Sequence, residues 1–413
     1  MIICKKIKIY PIGDKEEVNR VYQFIRSGQY AQYQALNLGM GLLTSSYLKN
    51  NRDIKSLDFI ETQKSITNSN PIFKNIEYSK GLDTLSAVIQ KIKKDFSTSL
   101  KNGLAKGERC ITNYKRDNPL ITRGRSLVFY SNLENNKDNL ENKFLKGDFE
   151  VYLSWVNKIL FKVDIGRPQK SNELRHTLKN VLKGYYKIAE SYIQIDDKKI
   201  ILNLSIEVKE KQIELDNNTV IGVDLGIAIP AVCALNNKDY IRKSIGSAKD
   251  FLKVKTKIQN QLTQSKKIMK FTSGGHGRTK KLKGLERFTK KEKNFTKTYN
   301  HMVSKQIIDF AIKNKAKYIN IEDLSENSFD DKILRNWSYY QLQTFIEYKA
   351  KLNGIEVRKI DPVYTSQTCS KCGNLEEGQR VTQSSFKCKK CGYEINADFN
   401  AARNISISTN YTK

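Results

Sequence analysis

The sequence predicts a multidomain α/β protein with two unlike halves. Residues 107–213 are dense in β-branched and aromatic residues, and a helical stretch at 19–106 separates them from a first strand within 1–18. After residue 214 strands alternate with helices. Two Cys-x-x-Cys pairs then interrupt that alternation close to the C-terminus.

"IICKKIKIYPI" reads as a short strand followed by a turn. From Glu16 the pattern turns helical, and its best helix carries Leu82, Leu85, Val88, Ile89, Ile92, Phe96 and Leu100 along one face. A second helix spans Tyr33 to Leu48, weakened by Gly39 and Gly41. In the β-rich part, "RSLVFYSNL", "FEVYLSWVNKILFKVDIG", "YYKIAESYIQIDD" and "KKIILNLSIEV" read as strands, the last two joined as a hairpin through Asp196-Asp197. Short strands around a helical insertion suggest a small β-barrel split by that insertion. Strands at "NTVIGVDLGI" and "AVCAL" follow, then long basic helices at 250–270 and 285–314 and a strand at "AKYINIEDL". A helix at "YYQLQTFIEYKAKLNG", a strand at "IEVRKIDP" and a last helix from Asp398 complete a mixed-sheet domain. The tracts 134–147 and 272–284 read as surface loops.

Lys and Arg number 73 against 43 Asp and Glu, a formal net charge of +30 over 413 residues. So large an excess repels itself in the compact state and points to a polyanionic partner, nucleic acid above all. The chain shows no secretion signal, and its longest apolar run, Val220 to Leu235, is too short to span a bilayer and contains Asp224 and Pro230. Of seven cysteines, Cys4, Cys110 and Cys233 are scattered among apolar neighbours and read as buried small hydrophobes. The whole pattern fits a reducing cytoplasm with one metal site better than a disulfide framework.

Cys369-x-x-Cys372, fifteen intervening residues, and Cys388-x-x-Cys391 have the spacing of a Cys4 zinc ribbon. Gly373 and Gly392 admit the tight knuckles. Four protein thiolates leave no open position for water, so this zinc is structural.

Asp224 interrupts the apolar run "VIGVDLGI", where an unpaired charge costs several kcal/mol. Glu322 ends the strand "YINIEDL", with Asp323 beside it as an alternative ligand, and Asp398 stands at a helix start. Singly, Asp398 reads equally well as an N-terminal cap and Glu322 as a strand-end charge. Together, on elements that converge at one sheet edge, the three suit a pair of Mg2+ or Mn2+ ions serving phosphodiester cleavage.

The segments "GVDLGIA", "INIEDLS" and "YTSQTCSKCGN…FKCKKCGYEINADFNAARNI" resemble the three RuvC motifs and interposed zinc ribbon of type V CRISPR effectors and their transposon-encoded TnpB relatives. Total length, "GGHGR", "LRNWSYYQLQ" and the "YKRD" at 114–117 resemble the miniature type V-F group of Cas12-type nucleases. The resemblance implies an RNase H-like RuvC nuclease domain at 214–365 and 393–413, with an inserted zinc ribbon target-nucleic-acid-binding domain at 366–392. It implies a wedge β-barrel at 1–18 and 107–213, interrupted by a helical recognition domain at 19–106. It further implies a guide RNA and cleavage of target DNA next to a short flanking motif. Asp224, Glu322 and Asp398 become the catalytic acids, and Arg380 falls where the group has an arginine implicated in catalysis. A phosphate contact would explain Arg380 equally well.

Between Ser265 and Lys293 lie eleven Lys/Arg and two glutamates. Lys266, Lys267, Arg278, Lys280, Lys281 and Lys283 are the expected contacts to a guide or target backbone, although such runs are often only solvated faces. Neighbouring Phe251, Val254, Ile258 and Leu262 could contribute to a dimer contact. A heteroduplex of about 20 base pairs exceeds what a helical lobe a few turns long can enclose, so two copies sharing one guide RNA are expected. The competing readings are a transposon-encoded RNA-guided nuclease and a zinc-ribbon binder that does not cut.

Overall fold

The computed structural model describes the chain apart from residues 75, 77–81, 83, 109, 132–149, 168–171, 227–228, 272–275, 324–338, 383 and 413, and apart from the side chains of 172 and 276–281. The loop expected at 134–147 lies outside the described residues, as does part of "GGHGR" and of "LRNWSYYQLQ". The chain divides into two compact units, Met1–Val208 and Lys209–Lys413.

In the first unit, lysine and isoleucine alternate along β1 (Ile2–Pro11), so Ile7 and Ile9 are buried while Lys6 and Lys8 face water. Asp14 then caps α1 (Lys15–Lys49) in a reciprocal capping box with Glu17. The helix runs unbroken for 35 residues, about 52 Å at 1.5 Å per residue, instead of starting afresh near Tyr33. Gly39 does not break it; a Cβ there would lie 2.5 Å from Ile92 Cδ1. The glycine instead admits close packing of α1 on a later helix. α2 (Leu57–Ser65) and α3 (Pro71–Lys74) follow, then α4 (Leu85–Ser99). Leu82 precedes α4, although it is buried as expected. Leu36, Met40, Leu43, Phe59, Val88, Ile92 and Phe96 form the core of this helical part.

The strands of this unit are β2 (Leu120–Thr122), β3 (Val128–Ser131), β4 (Val151–Ser154), β5 (Leu160–Val163), β6 (Lys187–Ile188), β7 (Ser191–Asp196) and β8 (Lys199–Glu207). All their described pairings are antiparallel, in the order β2-β7-β8-β1-β5-β4-β3, with β6 also on β8. The sheet curls as a half-barrel around Ile7, Leu120, Leu153, Trp155, Phe161 and Leu202. Among the described residues β2 and β3 are not paired, so the expected closed barrel keeps two edges. Trp155 Nε1 donates to Thr122 Oγ1 at 2.8 Å. The β7–β8 hairpin turns one residue later than expected: Asp196 pairs with Lys199, and Asp197 and Lys198 carry φ of +48° and +63°. A helix the strand-rich reading passed over, α5 (Asn172–Leu182), sets Leu174, Leu178 and Val181 against the barrel core.

In the second unit β9 (Asp216–Asp224), β10 (Ala231–Leu235), β11 (Arg242–Ile245), β12 (Ala316–Glu322) and β13 (Glu356–Ile360) form one sheet in the order β11-β10-β9-β12-β13. It is mixed, as expected: β9 pairs antiparallel with β10 and parallel with β12. β11 was not foreseen, being four residues with two cations. The helices are α6 (Ala248–Lys270), α7 (His276–Lys313), α8 (Tyr339–Leu352) and α9 (Ala397–Ile407). A small hairpin of β14 (Ser385–Lys387) and β15 (Glu394–Asn396) completes the unit.

Residues 276–284, expected in a loop, are the start of α7. Most of them are good helix formers, and this outweighs the glycines. Phe251 stacks 5.3 Å from Phe295 and 5.0 Å from Tyr299, and Ile258 and Leu262 are buried. These residues thus pack within the chain, and of the four proposed for a dimer contact only Val254 is exposed. Cys233 is buried as expected, whereas Cys4 and Cys110 are exposed. Among the described residues no helix is long and apolar enough to cross a membrane.

Gly222, two residues before the end of β9, lets α9 lie directly on the sheet. A Cβ there would meet Ala402 O at 2.0 Å and Ser406 N at 2.4 Å, both backbone atoms that cannot swing aside. Gly222→Ala is expected to destabilise the second unit by about 3 kcal/mol. Thermal melting followed by circular dichroism measures it, and an unchanged midpoint refutes the packing argument.

A carboxylate cluster and a four-cysteine ribbon as the candidate functional site

β9 and β12 run parallel with Val223 opposite Ile321, so Asp224 and Glu322 end adjacent strands at the same carboxyl edge of the sheet. Such edges are where open α/β sheets place ligands. α9 carries Asp398. Its cap is Asn396, whose side chain accepts from Phe399 N at 3.0 Å, so Asp398 is in the first turn and does not serve as the cap. The carboxylate is freed for another use.

Burial, followed by the charges of Glu322 and Asp398, pushes the Asp224 carboxyl well above its ordinary value, with Arg380 pulling the other way. Burial also raises Glu322, against the hydrogen bond that Thr365 Oγ1 donates to Glu322 Oε1 at 2.7 Å. Arg380 Nη2 donates to Asp398 Oδ1 at 3.0 Å, joining the ribbon to the first turn of α9. Asp323, the alternative ligand, is hydrogen-bonded by Thr412 Oγ1 at 3.0 Å.

The structure thus brings Asp224, Glu322, Asp398 and Arg380 together. The three carboxylates do not close to the mutual 4.8 Å that the four thiols reach. Like charges in a poorly solvated pocket repel, and two cations about 3.5–4 Å apart need a wider set of oxygens than one. Crowded carboxylates, two of which, Asp224 and Glu322, are raised by burial, are a donor set suited to hard divalent cations.

The ribbon is built twice from one knuckle. Gly373 N donates to Cys369 O at 2.9 Å and Gly392 N to Cys388 O at 3.0 Å. Gly373 and Gly392 have φ of +71° and +69°, a region glycine enters without strain. Cys369 and Cys391 Sγ lie 3.8 Å apart, Cys372 and Cys388 Sγ 3.6 Å. These are far beyond a disulfide's length of about 2.05 Å. They match the edge of about 3.8 Å that four sulfurs make at about 2.3 Å from a tetrahedral ion. Burial pushes Cys369 up to about 12; burial raises Cys388 too, but hydrogen bonds from the backbone N–H groups of Cys391 and Lys390 and from the neighbouring thiols of Cys391 and Cys372 together hold it down to about 7. The cluster therefore fits a thiolate-bound metal ion. Of the ribbon's lysines, Lys387 pairs with Glu394, Lys389 with Glu376 at 3.2 Å, and Lys371 lies over the Tyr393 ring.

Lys266 and Lys267 are exposed on α6, as Lys283 is on α7, and no described contact ties them to the carboxylates. The side chains of Arg278, Lys280 and Lys281 lie outside the described residues.

Sequence reasoning missed the asparagines of α9. Asn400 Nδ2 donates to Thr368 O at 2.7 Å, and Asn404 Nδ2 donates to Thr365 O at 2.8 Å and to Thr368 O at 2.7 Å. The signal was present: Asn396, Asn400 and Asn404 recur every four residues and so share one helical face.

The fold is that of the Cas12-type nucleases. It superposes on a chain of the structure described as "Cryo-EM structure of the Cas12f1-sgRNA-target DNA complex" with a TM-score of 0.74 at 20% identity, over 100% of this chain and 99% of that one. With CasPhi-2 (Cas12j) bound to crRNA the TM-score is 0.54 at 10% identity, over 98% and 97% of the two chains. Residues 339–405, from α8 through the ribbon into α9, match the family described as "Cas12f1-like, TNB domain". The CRISPR-associated endodeoxyribonuclease Cas12f1 of Sulfoacidibacillus thermotolerans is 35% identical over 342 residues, 80% of this chain and 78% of that protein. Its namesake from Syntrophomonas palmitatica is 39% identical over 229 residues, 46% of this chain and 45% of that protein. The TnpB-like protein MJ0751 of Methanocaldococcus jannaschii is 32% identical over 166 residues, 38% of this chain and 57% of that protein. This chain belongs to the Cas12f1 family of CRISPR-associated endodeoxyribonucleases.

Proposed function

We propose that the chain is an RNA-guided DNA endonuclease of a CRISPR type V-F system, whose hydrolytic centre is Asp224, Glu322 and Asp398. The convergence of Asp224 and Glu322 on adjacent strand ends, with Asp398 close enough to raise the Asp224 carboxyl, carries this reading. These acids would hold two Mg2+ or Mn2+ ions, which when bound would supply activation of water and stabilisation of the leaving oxygen of the phosphodiester. Arg380, paired with Asp398 in this structure, is the cation that would meet a scissile phosphate there. Base pairing of a guide RNA with the target strand supplies sequence choice, and the protein reads duplex shape and a short flanking motif.

The domain assignment follows the same reading. The curled sheet of the first unit is a wedge domain, interrupted by the helical recognition domain. The mixed sheet of the second unit is the RuvC domain, and residues 366–392 are a target-nucleic-acid-binding ribbon on structural Zn2+. Free cysteines and the CRISPR role are consistent with a prokaryotic cytoplasm. The transposon-encoded alternative is less favoured, because the TnpB-like match spans 38% of this chain against 80% for Cas12f1.

Purified protein, guide RNA, Mg2+ and a matching DNA target test the proposal. Cutting that needs both the RNA and the metal supports it, and guided binding without cutting restores the non-cleaving alternative. The exposed Lys266, Lys267 and Lys283 suit a guide or target backbone, the alternative being a merely solvated face.

Two copies sharing one guide RNA are part of the proposal. The unbroken α1 removes the argument from a helical lobe only a few turns long, so this rests on the family resemblance. Light scattering on the eluting guide complex is expected to give two protein chains per RNA. A stable 1:1 particle that cleaves refutes it.

A further inference from the structure

The loop joining β13 to the ribbon is folded around a single residue. Asp361 Oδ1 accepts from Val363 N at 3.0 Å, and Tyr364 takes φ +62°, a left-handed conformation for a residue with a side chain. The Tyr364 carbonyl then accepts from Gln367 N and Thr368 N, both at 3.1 Å, and from Thr368 Oγ1 at 2.9 Å. Backbone strain of this kind persists only where the surroundings over-determine it. Here they do: Asn404 of α9 donates to the Thr365 carbonyl, and both Asn400 and Asn404 donate to that of Thr368.

The product of this bracing is one buried hydroxyl. Thr365 is 8% exposed, and its Oγ1 lies 2.7 Å from Glu322 Oε1. Among the described residues its single proton has one other acceptor in reach, Pro362 O at 3.0 Å, and an ionised carboxylate is the stronger acceptor of the two. Thr365 is the only described protein donor to the Glu322 side chain. The Glu322 carbonyl is held separately by Gln343 Nε2 at 2.9 Å. The loop therefore links the helix that carries Asp398 to the carboxylate of Glu322.

We infer that Thr365 is a positioning residue for the metal centre: its hydroxyl fixes the orientation of the Glu322 carboxylate while the α9 asparagines fix Thr365. The inference rests on the proposed role of Glu322 as a metal ligand. Thr365 does not touch the substrate. It acts on how readily the carboxylate meets a cation, as outer partners of metal ligands do.

Thr365→Val keeps the shape and removes the hydroxyl, and Thr365→Ser keeps the hydroxyl. With the protein–guide complex, Thr365→Val is expected to raise the half-saturating Mg2+ concentration for target cleavage about 10-fold or more. Binding of Mn2+ to the same complex, followed by the loss of the free-ion electron paramagnetic resonance signal, is expected to weaken to a similar degree. Target DNA binding in chelator stays unchanged, and Thr365→Ser stays within about 3-fold of the parent, roughly the scatter of single-site effects. Thr365→Ala is the reserve should the valine variant fail to fold, and it is judged on the same two scales.

Parent-like Mg2+ dependence and Mn2+ binding in the hydroxyl-less variant overturn the inference, and so does a serine variant as impaired as the valine one. Glu322→Gln separates this from the larger reading. If it cuts and binds Mn2+ like the parent, the proposed metal centre itself fails. If it is inactive while Thr365→Val is unaffected, only the positioning role fails.

Discussion

Asp224→Asn protein is expected to bind guide RNA and target DNA as the parent does, to cut at least about 10³-fold more slowly, and to melt a few degrees higher without metal. Cutting falls because the amide carries no charge to hold a divalent cation, and the electrostatic stabilisation supplied at such centres is commonly worth factors of this size. Asp224→Ala abolishes cutting in the same way. Stability rises because Asp224 is a buried acid beside two others, with only Arg380 opposing them. Its carboxyl is raised in the folded protein above the ordinary 3.8, so the folded state holds the proton more tightly than the unfolded state. The stability it contributes is complete below about pH 4 and is lost as pH rises through the folded-state value. In chelator, the parent should therefore lose stability from acid toward neutral pH relative to Asp224→Asn. Adding Mg2+ should restore the parent and leave the variant unmoved. Calorimetric melting across that range, with gel-resolved cleavage at saturating Mg2+, decides it. Parent-like cutting by the asparagine protein would remove Asp224 from the chemistry.

Cys388→Ser is expected to empty the ribbon. The parent should carry about one zinc per chain by elemental analysis, and the variant close to none. The ligand lost is the thiol held down to about 7, a value that favours its thiolate near neutral pH. Structural zinc sites of this type couple about 10 kcal/mol or more of binding to folding. The small hairpin of β14 and β15 has a core of only Cys369, Cys388, Phe386 and Ala397, with Tyr393 and Ile395 against it, and cannot replace that contribution. Limited proteolysis should then cut within 366–392. DNA cleavage should fall with it, since Arg380 reaches Asp398 from this module. A zinc-free variant with an intact ribbon and full activity would refute the structural role.

The two halves of the chain differ in how much of each could be read in advance. β9, β12 and the ribbon were legible because Asp224 and Glu322 mark their strands as polar breaks in apolar runs, while cysteine spacing is a property of adjacent residues. The sequence picks out only Tyr33 to Leu48 of α1 as a helix in its own right, and Gly39 and Gly41 count against it locally; the close seat of Gly39 on Ile92 offsets that local cost. α5 and β11 were missed because short elements rely on neighbours to cover their apolar residues. Cys4 and Cys110 were misplaced since apolar neighbours in sequence say little about which face a strand or loop residue occupies.

The cationic excess, the four thiols of the ribbon and the three acids are legible in the sequence alone, because each is a matter of residue type and local spacing. That Asp224 and Glu322 end adjacent strands, that Arg380 pairs with Asp398 and that Thr365 holds Glu322 depends on the folded chain. Those contacts join residues 18 to 98 positions apart. Strand register and the close seat of α9 over Gly222 set them, and no local propensity encodes either.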